Sequence, residues 1–194
     1  VDMNHRAVVL DDADGLDHPA DGQVEEIGDA ALFSDSSVAG WARFTPPLTG
    51  TTNPFEGGGN RLLDTATSAT ARFRYTFNVP ADGYYNVYIS YSSWTGRATD
   101  AHYVVRHPGG EAHFRVNQQH HGSTWVLLGR FWFAAGTDPD RGAVELLNDS
   151  EDAGSNVSSD AVRIGGGLGV IDRGGGASGF PRYLENSRYH AQYS

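Results

Sequence analysis

Cysteine and lysine are both missing from this chain of 194 residues. Without cysteine the chain has no disulfide, no thiolate zinc site and no cysteine nucleophile. All 14 basic residues are arginine, which excludes Schiff-base chemistry and the lysine of a phosphate-binding loop. No apolar run approaches the roughly 18 residues that a membrane-spanning helix needs. The formal net charge of −10 disfavours nucleic acid and anionic membranes as partners, because both recruit basic surfaces.

Glycine and proline are frequent instead, with 25 and 8 residues, which is typical of short strands joined by many turns. The chain length fits one large β domain, or one domain plus a short appendage. We expect a domain over 1–164, in which 16–68 forms expanded loops with one or two short strands near 41–44. We expect 165–194 to form a Gly-rich tether that ends in a short helix.

Apolar and polar residues alternate from 71 to 79 and again from 84 to 91, which predicts two half-buried antiparallel strands. The turn residues at 80–83 between them predict a hairpin. Further strands are predicted at 102–107, 112–117, 124–133, 143–147 and 160–164. The run 124–133 is apolar on both faces, which predicts a central strand. One face carries Trp125, Leu127, Phe131 and Phe133, and the other carries Val126, Leu128 and Trp132. Regularly spaced strands without a clear helix are typical of an all-β fold, and we expect an antiparallel β-sandwich or jelly roll.

A second hairpin at 102–117 combines an apolar face with a polar one. If residue 107 pairs with 112, the polar face carries His102, Arg106, His113 and Arg115, whereas a one-residue slip would scramble it. This largely basic face suits an anionic glycan that is bound, or one that is cut by a lyase using arginine to neutralise a uronate. An ordinary solvent-facing surface is the alternative.

Tryptophan offers candidates for a sugar platform, because sugars stack their apolar faces on aromatic rings. Trp94 lies at the start of a loop and Trp41 lies in the irregular region, so both are candidates. Trp125 and Trp132 belong to a predicted strand and are weaker candidates. For each of them, packing inside the protein is the alternative.

One loop combines Arg97 with Asp100. The two side chains could hydrogen-bond sugar hydroxyl groups. The alternative, which we favour, is that they brace the loop through a mutual ion pair or through backbone hydrogen bonds.

Acidic turns suggest a calcium site. Asp12 and Asp14 are the first candidates, although the spacing does not complete an EF-hand loop. A second candidate is the group Asp149, Glu151 and Asp152, and solvated turns are the alternative for both. Histidine pairs are weak candidates for a transition metal, because ordinary exposed or capping histidines explain them better. No other cofactor is expected.

Several ordered motifs resemble one known family. They are Gly83-Tyr84-Tyr85-Asn86-Val87-Tyr88, Arg97-Ala98-Thr99-Asp100-Ala101, Gly109-Gly110, Leu128-Gly129 and Ser159-Asp160-Ala161-Val162-Arg163. The chain resembles the golvesin C-terminal-like domain, a module of secreted bacterial proteins such as xanthan lyases and cell-wall amidases. The resemblance implies an extracellular or cell-surface β-sandwich with an accessory role, and it supplies no catalytic residues.

Three functions remain open, in order of preference. The first is a non-catalytic module that binds a polysaccharide or a cell-envelope glycan. The second is a structural subunit of an extracellular fibre or surface layer that self-associates through 165–194. The third is a polysaccharide lyase or the accessory part of a cell-wall hydrolase.

Overall fold

The computed structural model describes residues 8–11, 21–35, 60–122, 124–152, 154–165 and 192–193. Within these ranges every pair of named strands is antiparallel. Helical structure in the same ranges is limited to one 3₁₀ turn, Ala30–Leu32. None of the helical structure described is long and apolar enough to cross a membrane. The prediction of an all-β antiparallel fold is confirmed.

The strands form three sheets. The four-stranded sheet has the order β1 (Val8–Asp11), β13 (Ala161–Ile164), β6 (Gly83–Ser90) and β9 (Val126–Phe133). In the seven-stranded sheet, β5 (Arg72–Val79) pairs with three strands, which are β2 (Gly22–Ile27), β10 (Gly136–Thr137) and β11 (Ala143–Leu147). On the other side of β11 the order continues with β7 (Ala101–His107), β8 (Gly110–Val116) and β14 (Gln192–Tyr193). The three-stranded sheet contains β12 (Asn156–Ser159), β4 (Arg61–Asp64) and β3 (Phe33–Asp35).

The hydrophobic core lies between the two larger sheets, which makes the fold a β-sandwich. Alternate residues of each strand point inward because side chains alternate between the two faces of a sheet. The inward residues of the seven-stranded sheet include Phe73, Tyr75, Phe77, Val144, Leu146, Tyr103, Val105 and Phe114. Those of the four-stranded sheet include Val8, Leu10, Tyr85, Val87, Ile89, Val126, Phe133, Val162 and Ile164.

The predicted hairpin between β5 and β6 is wrong. Both strands exist at the predicted positions, but β5 pairs within the seven-stranded sheet and β6 pairs with β13 and β9. The turn at 80–82 therefore carries the chain from one sheet to the other. Alternation indicates that each strand has one buried face, and it does not indicate the strand's partner.

The β7–β8 hairpin is confirmed, with a register two residues away from the predicted one. Only Pro108 and Gly109 form the loop, and His107 pairs with Gly110. Gly110 has a φ of 122°, in a region that side-chain-bearing residues rarely adopt. Because a slip of two residues preserves the side-chain parity, the predicted polar face survives the correction.

Strand β9 was predicted to be central, because it is apolar on both faces. In the described sheet it lies at the edge and pairs with β6 alone. A register shift between Val87 and Tyr88 also reverses the predicted faces at its end. Phe131 and Phe133 point towards the core, whereas Trp132 points outward and is 39% exposed.

The apolar outer side of β9 belongs to a second, smaller cluster. It contains Tyr88, Trp125, Leu127 and Ala161. The fully buried guanidinium of Arg163 lies 4.3 Å from the Tyr88 ring centre and 4.8 Å from the Trp125 ring centre. Aromatic faces attract a cation, so this arginine is held between two rings.

The described residues of region 16–68 include three strands, β2, β3 and β4, where one or two were predicted. The strand predicted near 41–44 lies outside the described residues. The predicted C-terminal helix also lies outside them, apart from Gln192–Tyr193, which is a strand that pairs with Arg115 and Phe114 of β8.

Candidate functional site

Strand pairing brings four predicted site residues to one outer face of the seven-stranded sheet. His102 lies opposite Arg115, and Arg106 lies opposite Glu111, across the β7–β8 hairpin. His113 shares the face from the position opposite Val104. We call this surface the arginine–histidine face.

A buried carboxylate lies at the centre of this face. The Glu145 side chain is 0% exposed, and its oxygens lie 2.7 Å from Arg74 Nε, 3.2 Å from Arg72 Nε and 3.0 Å from Arg106 Nη2. Burial by itself raises a carboxyl pKa, but the hydrogen bonds from Arg106 and Arg74 outweigh it and hold the pKa of Glu145 below its usual range. Glu145 is therefore an anion that three arginines neutralise.

The two arginines of the face, Arg106 and Arg115, have further acidic partners. Arg106 Nη1 donates to Glu111 Oε1 at 2.5 Å. Arg115 Nη2 donates to Asp149 Oδ2 at 2.7 Å, and its Nη1 donates to the carbonyls of Asp149 and Asp100. The four predicted residues share this face, but the face is not largely basic, because Glu111 of the hairpin, Glu145 of β11 and Asp149 pair with its arginines.

A chain of hydrogen bonds links the two histidines to these acids. His102 Nδ1 lies 2.8 Å from both carboxylate oxygens of Asp149, and His102 Nε2 lies 3.0 Å from His113 Nδ1. His113 Nε2 lies 3.4 Å from Glu111 Oε2. If Nδ1 of neutral His102 donates to Asp149, its Nε2 must accept from His113. Both nitrogens of His102 are thus engaged within the protein.

Burial also controls the protonation of His102. It lowers the pKa of His102, and this effect exceeds that of the hydrogen bond that His102 donates to Asp149, which raises the pKa. The same hydrogen bond, with that from Arg115, holds the pKa of Asp149 below its usual range although burial opposes it. The pair is a neutral imidazole on an ionised carboxylate.

The predicted loop pair, Arg97 and Asp100, is used inside the structure. Arg97 is 6% exposed and donates to Ser92 and to the side chain of Asn156. Asp100 accepts from the Ser150 hydroxyl and from the backbone N–H of Glu151. These contacts brace the loop without an Arg97–Asp100 ion pair.

Trp94 lies in the same loop and is 59% exposed. Trp41 falls outside the described residues, so no geometry relates the two candidate platforms. The structure places Trp94 on its own as an exposed ring.

The calcium candidates differ in what the structure describes. Asp12 and Asp14 fall outside the described residues. In the second candidate, Asp149 is bound to His102 and Arg115, and Asp152 accepts from the N–H and hydroxyl of Thr99. Across the described ranges, no group of three or more histidine, aspartate or glutamate side chains could hold a metal ion.

Sequence reasoning missed one surface, on the outer side of the four-stranded sheet. Tyr84 and Trp132 lie directly opposite each other on β6 and β9, and they are 58% and 39% exposed. Arg130 lies opposite Asn86 in the same sheet, and its guanidinium lies 4.9 Å from the Tyr84 ring centre. We call Tyr84, Asn86, Arg130 and Trp132 the aromatic platform.

Only part of a signal for this platform exists in the sequence. Alternation predicts that Tyr84 points away from the core, on the face opposite Tyr85 and Val87. The register shift in β9 places Trp132 on the same side of the sheet as Tyr84. No pattern in the sequence predicts this shift.

Comparisons with known proteins agree with the motif resemblance. A family model described as Golvesin C-terminal domain matches residues 41–166. A xanthan lyase of Bacillus sp. (strain GL1) is 28% identical over 137 residues, which is 70% of this chain and 14% of that protein. The solved structure of a Paenibacillus xanthan lyase matches with a TM-score of 0.60 and 28% identity, over 82% of this chain and 13% of that chain.

A Podospora anserina GH26-CBM35 β-(1,4)-mannanase structure matches with a TM-score of 0.44 and 14% identity, over 82% of this chain and 27% of that chain. The chain thus spans about one seventh of the length of the xanthan lyases that it matches.

Replacing Glu145 tests the neutralised face. We expect Glu145→Gln to lower the free energy of unfolding by about 3 kcal/mol, because three arginines then lack their buried anion. This value is at the low end for a broken buried ion pair, since the arginines are partly solvated. Urea denaturation measures this free energy of unfolding.

Glu25→Gln is the matched control, because Glu25 lies opposite Arg74 on exposed β2. This substitution should lower the free energy of unfolding by less than about 1 kcal/mol. A Glu145→Gln protein within about 0.5 kcal/mol of the parent would contradict this account.

The buried histidine predicts how stability depends on pH. The folded-state pKa of His102 lies below the value of about 6.5 for an unfolded chain. The unfolded state therefore binds more protons between the two values. The stability that depends on neutral His102 is complete above about pH 6.5 and is lost as pH falls through the folded-state pKa.

We expect the free energy of unfolding to decrease less between about pH 7 and about pH 5 in His102→Gln than in the parent protein. Urea denaturation at several pH values gives both slopes. His120→Gln, in an exposed loop, is the control for replacing a histidine elsewhere in the chain. Equal slopes for His102→Gln and the parent would refute the burial argument.

Proposed function

Since this chain belongs to the golvesin C-terminal domain family, we propose that it is a non-catalytic, carbohydrate-associated accessory module that binds a polysaccharide or cell-envelope glycan through the aromatic platform. The relatives that it matches are named xanthan lyases. The lyase activity belongs to those longer proteins, and fold likeness alone does not transfer it.

One observation carries this proposal, the pair of exposed rings on a rigid sheet. Tyr84 and Trp132 are cross-strand neighbours, so their Cβ atoms are held about 5 Å apart. Neighbouring exposed rings form contiguous apolar surface, which marks a binding site more often than a single exposed ring does. Sugars present apolar C–H faces to such rings, while nearby polar groups fix their orientation. Asn86 and Arg130 supply those polar groups beside the rings.

The arginine–histidine face supports binding less well. Its arginines are paired with Glu111, Glu145 and Asp149, and His102 uses both ring nitrogens. A ligand there would have to break charge-assisted hydrogen bonds before making its own, which costs more than the new contacts return. The same pairing disfavours a lyase centre, because neither a free base nor an uncompensated cation is offered.

Self-assembly is the second candidate. Its support is the pairing of Gln192–Tyr193 with β8, since a terminal segment that adds a strand to its own sheet edge could add it to a second copy. An extracellular or cell-surface location fits both candidates, because polymeric glycans and surface fibres lie outside the cell.

We expect Trp132→Ala to weaken glycan binding by about tenfold, the size of one good aromatic contact. A glycan array identifies the ligands, and titration calorimetry on the best of them gives the dissociation constants. Tyr84→Ala should weaken binding in the same direction.

Trp94→Ala is the matched control, because Trp94 is the same residue type and is exposed as well, but it lies in a loop. It should leave the dissociation constant unchanged. Loss of binding in Trp94→Ala with none in Trp132→Ala would move the site to the loop and refute the platform.

A further inference from the structure

We propose that the aromatic platform prefers sugars that carry a carboxylate, and that Arg130 binds this carboxylate. The inference rests on the glycan-binding function proposed above and adds the chemical class of the ligand. It starts from a difference between Arg130 and the other arginines of the described residues.

Most of those arginines are committed to partners within the protein. Arg61 pairs with Glu26 and Asp35, Arg72, Arg74 and Arg106 pair with Glu145, and Arg115 pairs with Asp149. Arg97 is buried and hydrogen-bonded, and Arg163 is buried between two rings. Their charges are not available to a ligand.

Arg130 differs because its side chain is exposed and its contact is the Tyr84 ring, at 4.9 Å. In the described residues no carboxylate lies within ion-pair distance of it. Arg141 is also exposed and lacks a described carboxylate partner, but Arg130 differs from it through the ring contact. It is also placed beside the two exposed rings of the platform.

The ring contact prepares the guanidinium for a carboxylate. An arginine held over an aromatic face keeps its N–H groups at the edge of its plane, where they can bind both oxygens of a carboxylate. A sugar stacked on Trp132 or Tyr84 would bring a ring carboxylate to this edge, and the opposite residue, Asn86, adds an amide donor and acceptor. The platform thus combines apolar contact with one localised positive charge.

The expected preference is modest. An exposed ion pair contributes about 1 kcal/mol or less, which corresponds to at most about a fivefold difference in affinity. The preference should shrink at high salt, because screening acts strongly on exposed charges. Binding of the uncharged counterpart should remain, since stacking does not need the carboxylate.

The test uses uronate-containing oligosaccharides, each printed beside the same oligosaccharide with its carboxylates reduced to primary alcohols. The complete 194-residue chain is compared with Arg130→Gln and with the control Arg141→Gln. Arg141 is also exposed and has no carboxylate partner in the described residues, and it has no described ring contact. Circular dichroism checks the fold of each variant.

We expect the parent and Arg141→Gln to bind the acidic member of a pair about threefold to fivefold more tightly. Arg130→Gln should bind both members equally, at the level of the reduced one. Equal binding of both members by the parent would overturn the inference and leave the proposed function standing. An equal loss in Arg141→Gln would also overturn it, since net charge would then explain the preference. Binding to no member of any pair would refute the proposed function itself.

Discussion

A buried carboxylate can remain ionised in a protein only when cations surround it, and Glu145 imposes this requirement on the whole outer face of the seven-stranded sheet. Arg72, Arg74 and Arg106 converge on it from strands on both sides of β11. The guanidinium groups of those arginines are thereby engaged with the buried carboxylate. The cluster of charged side chains that the sequence singled out is therefore an internally paired network.

The opposite outer face of the sandwich has a different character. Arg163 is enclosed by Tyr88 and Trp125 at one end, while Tyr84 and Trp132 stand exposed at the other. The exposed end keeps one cation, Arg130, which lies against the Tyr84 ring and has no carboxylate within ion-pair distance among the described residues. Within the described part of the chain, this face is the one that presents a pair of exposed rings together with an exposed arginine.

Local sequence patterns predicted most strands, because the alternation of apolar and polar residues depends only on the sequence of the strand itself. They did not predict which strands pair. For that reason the sequence did not reveal that Glu145 of β11 lies beside the arginines and neutralises their charge. The predicted polar face of the β7–β8 hairpin is correct although the predicted register is not. The register error is two residues, and a shift of two residues keeps each side chain on the same face. The faces of β9 did not survive, because a single register shift between Val87 and Tyr88 changes parity and brings Trp132 to the surface.

Chemical-shift mapping by NMR tests the central claim most directly. The backbone amide spectrum would be followed while the best oligosaccharide from the array is added. The account predicts that the largest shifts lie on the strand ends at 83–86 and 130–133, which carry the aromatic platform. Shifts centred on His102 and His113, or on the loop around Trp94, would contradict it, because they would place the ligand on a surface that the account treats as structural.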